Sequence, residues 1–417
     1  MKRFFLIALI LMVAVFWAGA QAKATVVFYT PNWGDATIKA IVAKYAPDHP
    51  NVDIQLFPGP SEWADHVAKT QLWMNTKYSG VDLEYQDDVF AMDGAIKGVW
   101  VDLWPYMSEA QKNDLTDVQL QFKKLWGGYY RIPWWQGMSY MYYNKKIFKE
   151  AGMSVPTTWD QLMKTATKLT RDVHGSGNVD QFGYMATGEE GAFAHSFWEF
   201  LYQAGADDWT LSSNGTPDPK AKQALTFMKD LFLKAAPKDT PAINYDEGRA
   251  YMKQGKTAML RDWADLGVQV AQEKLQDTVG VMNFPAGPAG PYGIAHGWGV
   301  VVNRYGDNFQ KNKDAVMDFA LFMLKPEIHE ISALSELPAL KSVYADAAFM
   351  QKLKTANINA AVAPQWWKWR RTRKLVPGHG AEYMNGEGKM AIAGVFGNVS
   401  VDKTLQDMQD LIDSLRQ

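Results

Sequence analysis

Residues 25–88 read TVVFYTPNWGDATIKAIVAKYAPDHPNVDIQLFPGPSEWADHVAKTQLWMNTKYSGVDLEYQDD, and this stretch decides the fold. TVVFYT at 25–30 is a β-branched and aromatic run that stops at Pro31, the pattern of a buried strand. Over 36–46, Ile38, Ile41, Val42 and Tyr45 recur at helical spacing until Pro47 and Pro50 end the helix. Val52, Ile54 and Leu56 alternate as a second strand up to Pro58. A helix is predicted over 61–78, with Ser61 as its N-cap, and a third strand over 81–85. Strand, helix, strand, helix, strand predicts right-handed crossovers and a mostly parallel sheet. Solutes collect at the carboxyl ends of the strands in such sheets. Asn32-Trp33-Gly34-Asp35, Ser61-Glu62-Trp63 and Asp87-Asp88 all fall there, so one rim gathers tryptophan and carboxylate.

The α/β alternation continues down the chain. Residues 127–133 lead into Trp134-Trp135-Gln136 and the apolar run 138–143. Helices are predicted over 159–169, 192–203 (carrying Trp198), 221–233 and 314–324, with a polar loop over 211–219. A Gly- and Pro-rich segment at 279–291 precedes GWGVVVN at 297–303, which reads as a buried strand. Leu405, Met408, Ile412 and Leu415 make the last helix amphipathic.

At 417 residues the chain exceeds one ordinary domain and fits two. Its formal charge is −2 and no long basic run occurs, so it lacks the electrostatic footprint of a nucleic-acid binder. Cysteine is absent, which excludes disulfides, thiolate metal sites and cysteine nucleophiles. Tryptophan is abundant at 17 residues, and such large rings fill a core, line a ligand site, or do both.

The first residues read as an export signal. Lys2 and Arg3 precede an apolar run over 4–17, and small residues follow, with cleavage expected after Ala20 or Ala24. The run is shorter than the roughly 20 residues of a membrane span. No cysteine is present to make a lipoprotein, so a periplasmic location is expected. Loss of Lys2, Arg3 and Lys23 would leave 40 basic against 45 acidic residues, a charge of −5.

Six strings then occur in order over about 300 residues. Val81-Asp82-Leu83 through Val101-Asp102-Leu103-Trp104-Pro105-Tyr106 is similar to a segment ending G-x-L-x-D-L-x-P-Y. Tyr130-Arg131-Ile132-Pro133 with Tyr142-Tyr143-Asn144-Lys145-Lys146-Ile147-Phe148 is similar to G-I-P followed by Y-Y-N-K-x-L-F. Ala151-Gly152 with Pro156-Thr157-Thr158-Trp159-Asp160-Gln161-Leu162 is similar to A-G-x-x-x-P-x-T-W-x-E-L. Gln254-Gly255-Lys256-Thr257-Ala258-Met259 is similar to x-G-K-x-A-M. Residues 279–285 with Gly297-Trp298-Gly299 are similar to V-G-V-x-x-x-P and G-G-W-G. Behind an export signal, these strings resemble the family 1 extracellular solute-binding proteins of ABC importers, the maltose-binding-protein-like, carbohydrate-binding group.

That resemblance implies a two-lobed periplasmic-binding-protein fold of the class II type, with discontinuous lobes, a hinge and a cleft between them. Motif placement puts lobe 1 at 25–137 plus 301–337 and lobe 2 at 138–300 plus 338–417. It implies a non-enzymatic monomer with no cofactor and no metal, which closes on a carbohydrate and docks on a membrane permease. Trp33, Trp63, Asp88, Trp135, Gln136, Trp198, Trp263, Trp298, Trp367 and Arg370 are the candidate ligand contacts. Rings stack on the C–H faces of a sugar, while carboxylate, amide and guanidinium groups meet its hydroxyls. The family's sugar-contacting acid falls at Asp88 and its stacking rings fall at Trp263 and near Trp366, Trp367 and Trp369. Its acid at the first crossover is replaced by Gly137, which puts maltose itself in doubt. Neighbouring strand residues face opposite ways, so one of Trp134 and Trp135 packs, and Asp87 and Asp88 pose the same choice. Trp73, Trp100, Trp104, Trp126 and Trp159 are expected in the core. Arg370 and Arg371, in the basic stretch 366–374, are either surface groups or partners for an acidic solute.

Two rival readings remain. A secreted glycoside hydrolase would use paired acids such as Glu189 and Glu190 or Asp207 and Asp208, but adjacent loop residues rarely span the separation that chemistry needs. The same fold could instead cage a cation such as a betaine. The seven histidines show no metal-ligand spacing, and neither a phosphate loop nor a nucleophile elbow occurs.

Overall fold

A computed structural model describes residues 23–206, 218–334, 336–373 and 376–416. Nearly all of the export signal, most of the loop expected over 211–219, Asp207, Asp208 and Lys374 lie outside the described residues. The strands are β1 (Ala24–Thr30), β2 (Val52–Pro58), β3 (Leu83–Asp87), β4 (Ile132–Met138), β5 (Tyr140–Asn144), β6 (Met185–Ala186), β7 (Met259–Asp262), β8 (Val279–Met282), β9 (Gly293–Val302) and β10 (Arg370–Thr372).

They form two sheets. The first runs β10-β9-β3-β1-β2, with β4 also paired to β9; the second runs β6-β7-β5-β8. β1 lies parallel to both β2 and β3, joined by the helices Asp35–Tyr45 and Trp63–Thr76, as the alternation predicts. β10 is parallel to β9 as well, so three of the five pairings in this sheet are parallel, and the two antiparallel ones both involve β9. β9 is antiparallel to β3, from Leu83↔Val302 to Asp87↔Trp298, and antiparallel to β4. The register gives the reason: β9 begins at Gly293, beyond the carboxyl end of β3, so the chain re-enters the sheet from the rim rather than through a helical crossover.

The apolar run at 138–143 is split at Ser139, where the chain leaves the first sheet for the second. Ser139 N–H donates to the Ile294 carbonyl at 2.9 Å, and Ile294 N–H donates to Ser139 Oγ at 2.9 Å, so two passing segments are stitched together there. In the second sheet β5 pairs antiparallel with β7 and β8. Helices Glu190–Ala204 and Gly380–Phe396 pack closely beside it. A Cβ at Gly388 would stand 1.5 Å from the Glu190 carbonyl oxygen, so only glycine fits at that approach.

Local chemistry sets several boundaries. Asp87, the last residue of β3, caps the helix Asp88–Ile96 by accepting from Val89 N–H at 2.9 Å. Ser61 does not cap the next helix upstream: its hydroxyl accepts from Asn32 Nδ2 at 3.1 Å and ties two rim loops together. Trp73, Trp100 and Trp159 are buried as expected. Trp104 and Trp126 are half-buried, with Lys123 over the first ring and Arg131 over the second. No described helix is long and apolar enough to cross a membrane.

Candidate functional site: a ring-lined rim along β9

The rim loops after β1, β2 and β3 converge on Trp298. Trp33, 44% exposed, meets its edge at 5.9 Å between ring centroids, and half-buried Trp63 meets it at 5.7 Å. Tyr85 stacks on Trp298 at 4.9 Å. His66, three residues after Trp63 and so on the same helix face, lies 5.8 Å from both Trp63 and Trp298. Burial pushes the His66 pKa down to about 3, so the ring is neutral, with Nδ1 3.0 Å from the Tyr29 hydroxyl.

A second string of rings begins two residues earlier on the same strand. His296 shares a face of β9 with Trp298 and lies 5.1 Å from Trp135 and 4.1 Å from Trp263. Trp263 is followed by His195 at 5.2 Å, and His195 by Trp198 at 5.3 Å. Trp263 is held on two sides. Its Nε1 donates to the Tyr245 hydroxyl at 2.9 Å, and the Arg261 guanidinium lies 4.0 Å over its ring. Arg261 is itself closed by a buried ion pair with Glu199 at 2.8 Å. Burial, with Arg261 nearby, holds His195 and His296 well below the ordinary histidine range.

A second buried charge cluster adjoins His195. Arg373 pairs with Asp87 at 2.9 Å and with Asp88, and its Nη1 lies 3.5 Å from His195 Nε2. All three charged side chains are buried. Both carboxylates turn to Arg373.

The other expected contacts separate cleanly. Trp33, Trp63 and Trp298 come together, and Trp135 and Trp263 join through His296. Trp198 is wholly buried, donating from Nε1 to Glu387, and touches the string only through His195. Trp134 packs on Tyr85 at 5.0 Å, beside a register irregularity between Pro133 and Trp135. Gln136 faces away from the rings, as strand alternation after Trp135 requires. It accepts from Thr116 Oγ1 at 2.7 Å and lines a separate groove of about 550 Å³ with Leu337, Tyr344 and Trp367. Arg370 is buried over Phe284 and donates to Asn283 at 3.2 Å, while Arg371 lies 4.3 Å over Tyr292. Neither arginine reaches the ring strings.

Sequence reasoning passed over Tyr85, His66, His195 and Arg373 as site residues. His66 carried a signal in its spacing from Trp63; Arg373 carried none beyond its basic neighbourhood. Among the described residues no group of three His, Asp or Glu is arranged to hold a metal ion. Flat apolar faces bordered by neutral imidazoles and internally matched charge suit a solute with C–H faces and hydroxyl edges.

The sequence model of the bacterial extracellular solute-binding protein family matches residues 30–330. A binding protein of Brucella abortus is 25% identical over 249 residues, which is 58% of this chain and 58% of that protein, so the chain matches under two thirds of that relative's length. The maltose-bound MalE3 of T. maritima superposes with a TM-score of 0.80 at 19% identity, covering 94% of this chain and 99% of that one. An ABC transporter solute-binding protein of Agrobacterium radiobacter K84, in complex with ribitol, gives 0.78 at 23% identity, covering 95% and 99%. The two sheets therefore build the two-lobed fold of these structures, and with the family match extending over most of its length, this chain belongs to the bacterial extracellular solute-binding proteins.

Proposed function

We propose that the protein is the exported, periplasmic solute-binding component of an ABC importer. It captures a neutral polyhydroxylated solute, a di- or oligosaccharide or a sugar alcohol, and delivers it to a membrane permease as a monomer without transforming it. The observation that carries this reading is the double ring string along one face of β9, with Trp33 and Trp63 at one end and Trp135 and Trp263 at the other. The maltose and ribitol held by the two structural neighbours agree with it. The lobes are proposed as 25–137 with 301–337 and 138–300 with 338–417; the passage between sheets at Ser139 supports the first of these boundaries, whereas β9 is already in the first sheet from Gly293 and β10 joins it there.

The rival readings fare worse on particular contacts. A cation would meet Arg261 over Trp263 and Arg373 beside His195, which disfavours a betaine cage. Glu189 and Glu190 are neighbours at the start of the helix Glu190–Ala204, and neighbouring residues do not flank a bond as a hydrolytic pair must. The test is a titration of tryptophan fluorescence and melting temperature with maltose, other disaccharides, ribitol, mannitol, oligogalacturonides and betaine. A solute at 100 times its Kd stabilises the native state by about 2.7 kcal/mol. A saturable response to a neutral sugar or polyol, recovered unchanged after long incubation, is expected. A response to betaine alone, or cleavage of an oligosaccharide, overturns the proposal.

A further inference from the structure

We infer that Glu336, with His296, forms the polar floor of the site between Trp135 and Trp263 and determines which hydroxyl pattern the solute must present. This rests on the reading of the ring strings as a sugar or polyol site.

The backbone places Glu336 there. Gln136 N–H donates to the Leu337 carbonyl at 2.9 Å, and Leu337 N–H donates to the Gln136 carbonyl at 3.1 Å, an antiparallel bridge onto β4. The bridge sets residue 336 beside residue 137. A Cβ on Gly137 would stand 2.6 Å from Glu336 Cδ and 2.7 Å from its Oε1, so the glycine leaves the space the carboxyl fills. No positive φ is involved; the requirement is room.

The carboxyl is 4% exposed; the Tyr140 hydroxyl and the Ala264 N–H act on it, and its Oε2 still lacks a direct hydrogen bond. His296 Nε2 is likewise buried without a partner, 4.0 Å from Glu336 Oε1, too far for a direct bond. Two buried polar atoms left open beside two tryptophan rings are costly unless something meets them. An oxygen about 2.8 Å from each closes that gap. A hydroxyl can donate to one and accept from the other, as a bridging water does. Burial and then nearby Asp265 push the Glu336 carboxyl well above the usual carboxylate range, opposed by hydrogen bonds from the Ala264 N–H and the Tyr140 hydroxyl. A floor built to hydrogen-bond a hydroxyl rejects an analogue that lacks it, because the protein atoms are then left unpaired.

The test uses wild type, Glu336→Ala and Glu336→Gln, titrated calorimetrically with maltose, ribitol and mannitol, and then with each monodeoxy analogue of whichever binds. The melting temperature of each variant is recorded alongside. Glu336→Ala is expected to lose at least tenfold in affinity for the parent solute, and Glu336→Gln, which keeps a donor and an acceptor, is expected to recover part of it. One monodeoxy analogue should bind wild type at least tenfold more weakly than its parent yet bind Glu336→Ala and wild type alike. Equal losses for the parent and every analogue would mean a packing role and overturn the inference, as would unaltered affinity in Glu336→Ala. If wild type binds no sugar or polyol at all, the reading of the site falls first and takes this inference with it.

Discussion

Replacing Glu84 by glutamine should make the protein more stable, and more so the higher the pH. Glu84 sits in β3 between Tyr29 of β1 and Val301 of β9, and it is fully buried. Its one strong local contact is Gln86 Nε2, which donates to it at 2.7 Å; Gln86 also donates to Thr70 Oγ1 at 3.1 Å. Desolvation outweighs that hydrogen bond and pushes the carboxyl from its ordinary 4.5 up to about 8. Between these values the folded chain keeps a proton that the unfolded chain has released, so stability falls as pH rises through the window. The loss amounts to about 5 kcal/mol at pH 8 and above. Glutamine is uncharged at every pH and lacks this slope. Asp93, raised to about 6 by burial, is present in both proteins and drops out of the comparison. The assay is thermal unfolding by circular dichroism at pH 4.5, 6, 7, 8 and 9. The two melting temperatures should nearly coincide at pH 4.5 and separate by about 5–10 °C at pH 9, taking about 1–2 °C per kcal/mol for a chain of this size. A separation that stays constant from pH 4.5 to 9 would refute the argument, since a packing or hydrogen-bond effect has no reason to titrate.

Two further outcomes follow from the site itself. Arg373→Met removes the cation shared by two buried carboxylates and should destabilise the protein by about 3–5 kcal/mol, read from the urea midpoint at pH 7. Adding Asp88→Asn to that variant should return part of the loss, because one uncompensated charge is then gone. Trp263→Ala should weaken binding of the responding sugar or polyol at least tenfold, whereas Trp367→Ala, whose ring lines the separate groove with Gln136, should leave the affinity within a factor of two in the same calorimetric titration.

The first half of the fold was legible because its signals are local. β1, β2 and the helix between them follow from apolar periodicity and proline stops, and these act within a few residues. The direction of β9 was not legible. GWGVVVN announces a strand but says nothing of its neighbours, and here the neighbours are β3 and β4, contacts more than 150 residues apart in sequence. The rim tryptophans were found because loop position and residue type pointed the same way. Gln136 was missed in the opposite sense: adjacency to Trp135 suggested a shared site, while strand alternation turns it to the other groove. Gly137 looked like the loss of a carboxylate from the crossover. The structure brings Glu336 into that space from 199 positions away, and no reading of residue 137 alone could have supplied it.

The charge around the rings bears on the proposal that the solute is neutral. Arg261 is closed by Glu199, Arg249 by Asp262 and Asp265, and Arg373 by Asp87 and Asp88. His66, His195 and His296 are held uncharged by burial, and Glu336 is raised toward its neutral form. A charged solute would lose its hydration in a site where these ion pairs already match their own charges, while Arg131, buried against Gly297, lies outside those pairs. A neutral sugar or polyol gives up far less water and meets what the site offers in quantity: ring faces for its C–H groups, and the open oxygen and nitrogen of Glu336 and His296 for a hydroxyl. Affinity in such a site comes from area and hydrogen-bond geometry rather than from ion pairing. That same division explains why, among its described residues, the basic stretch at 366–374, the most conspicuous charge pattern in the sequence, contributes charge to this site through Arg373, which the protein's own carboxylates already hold.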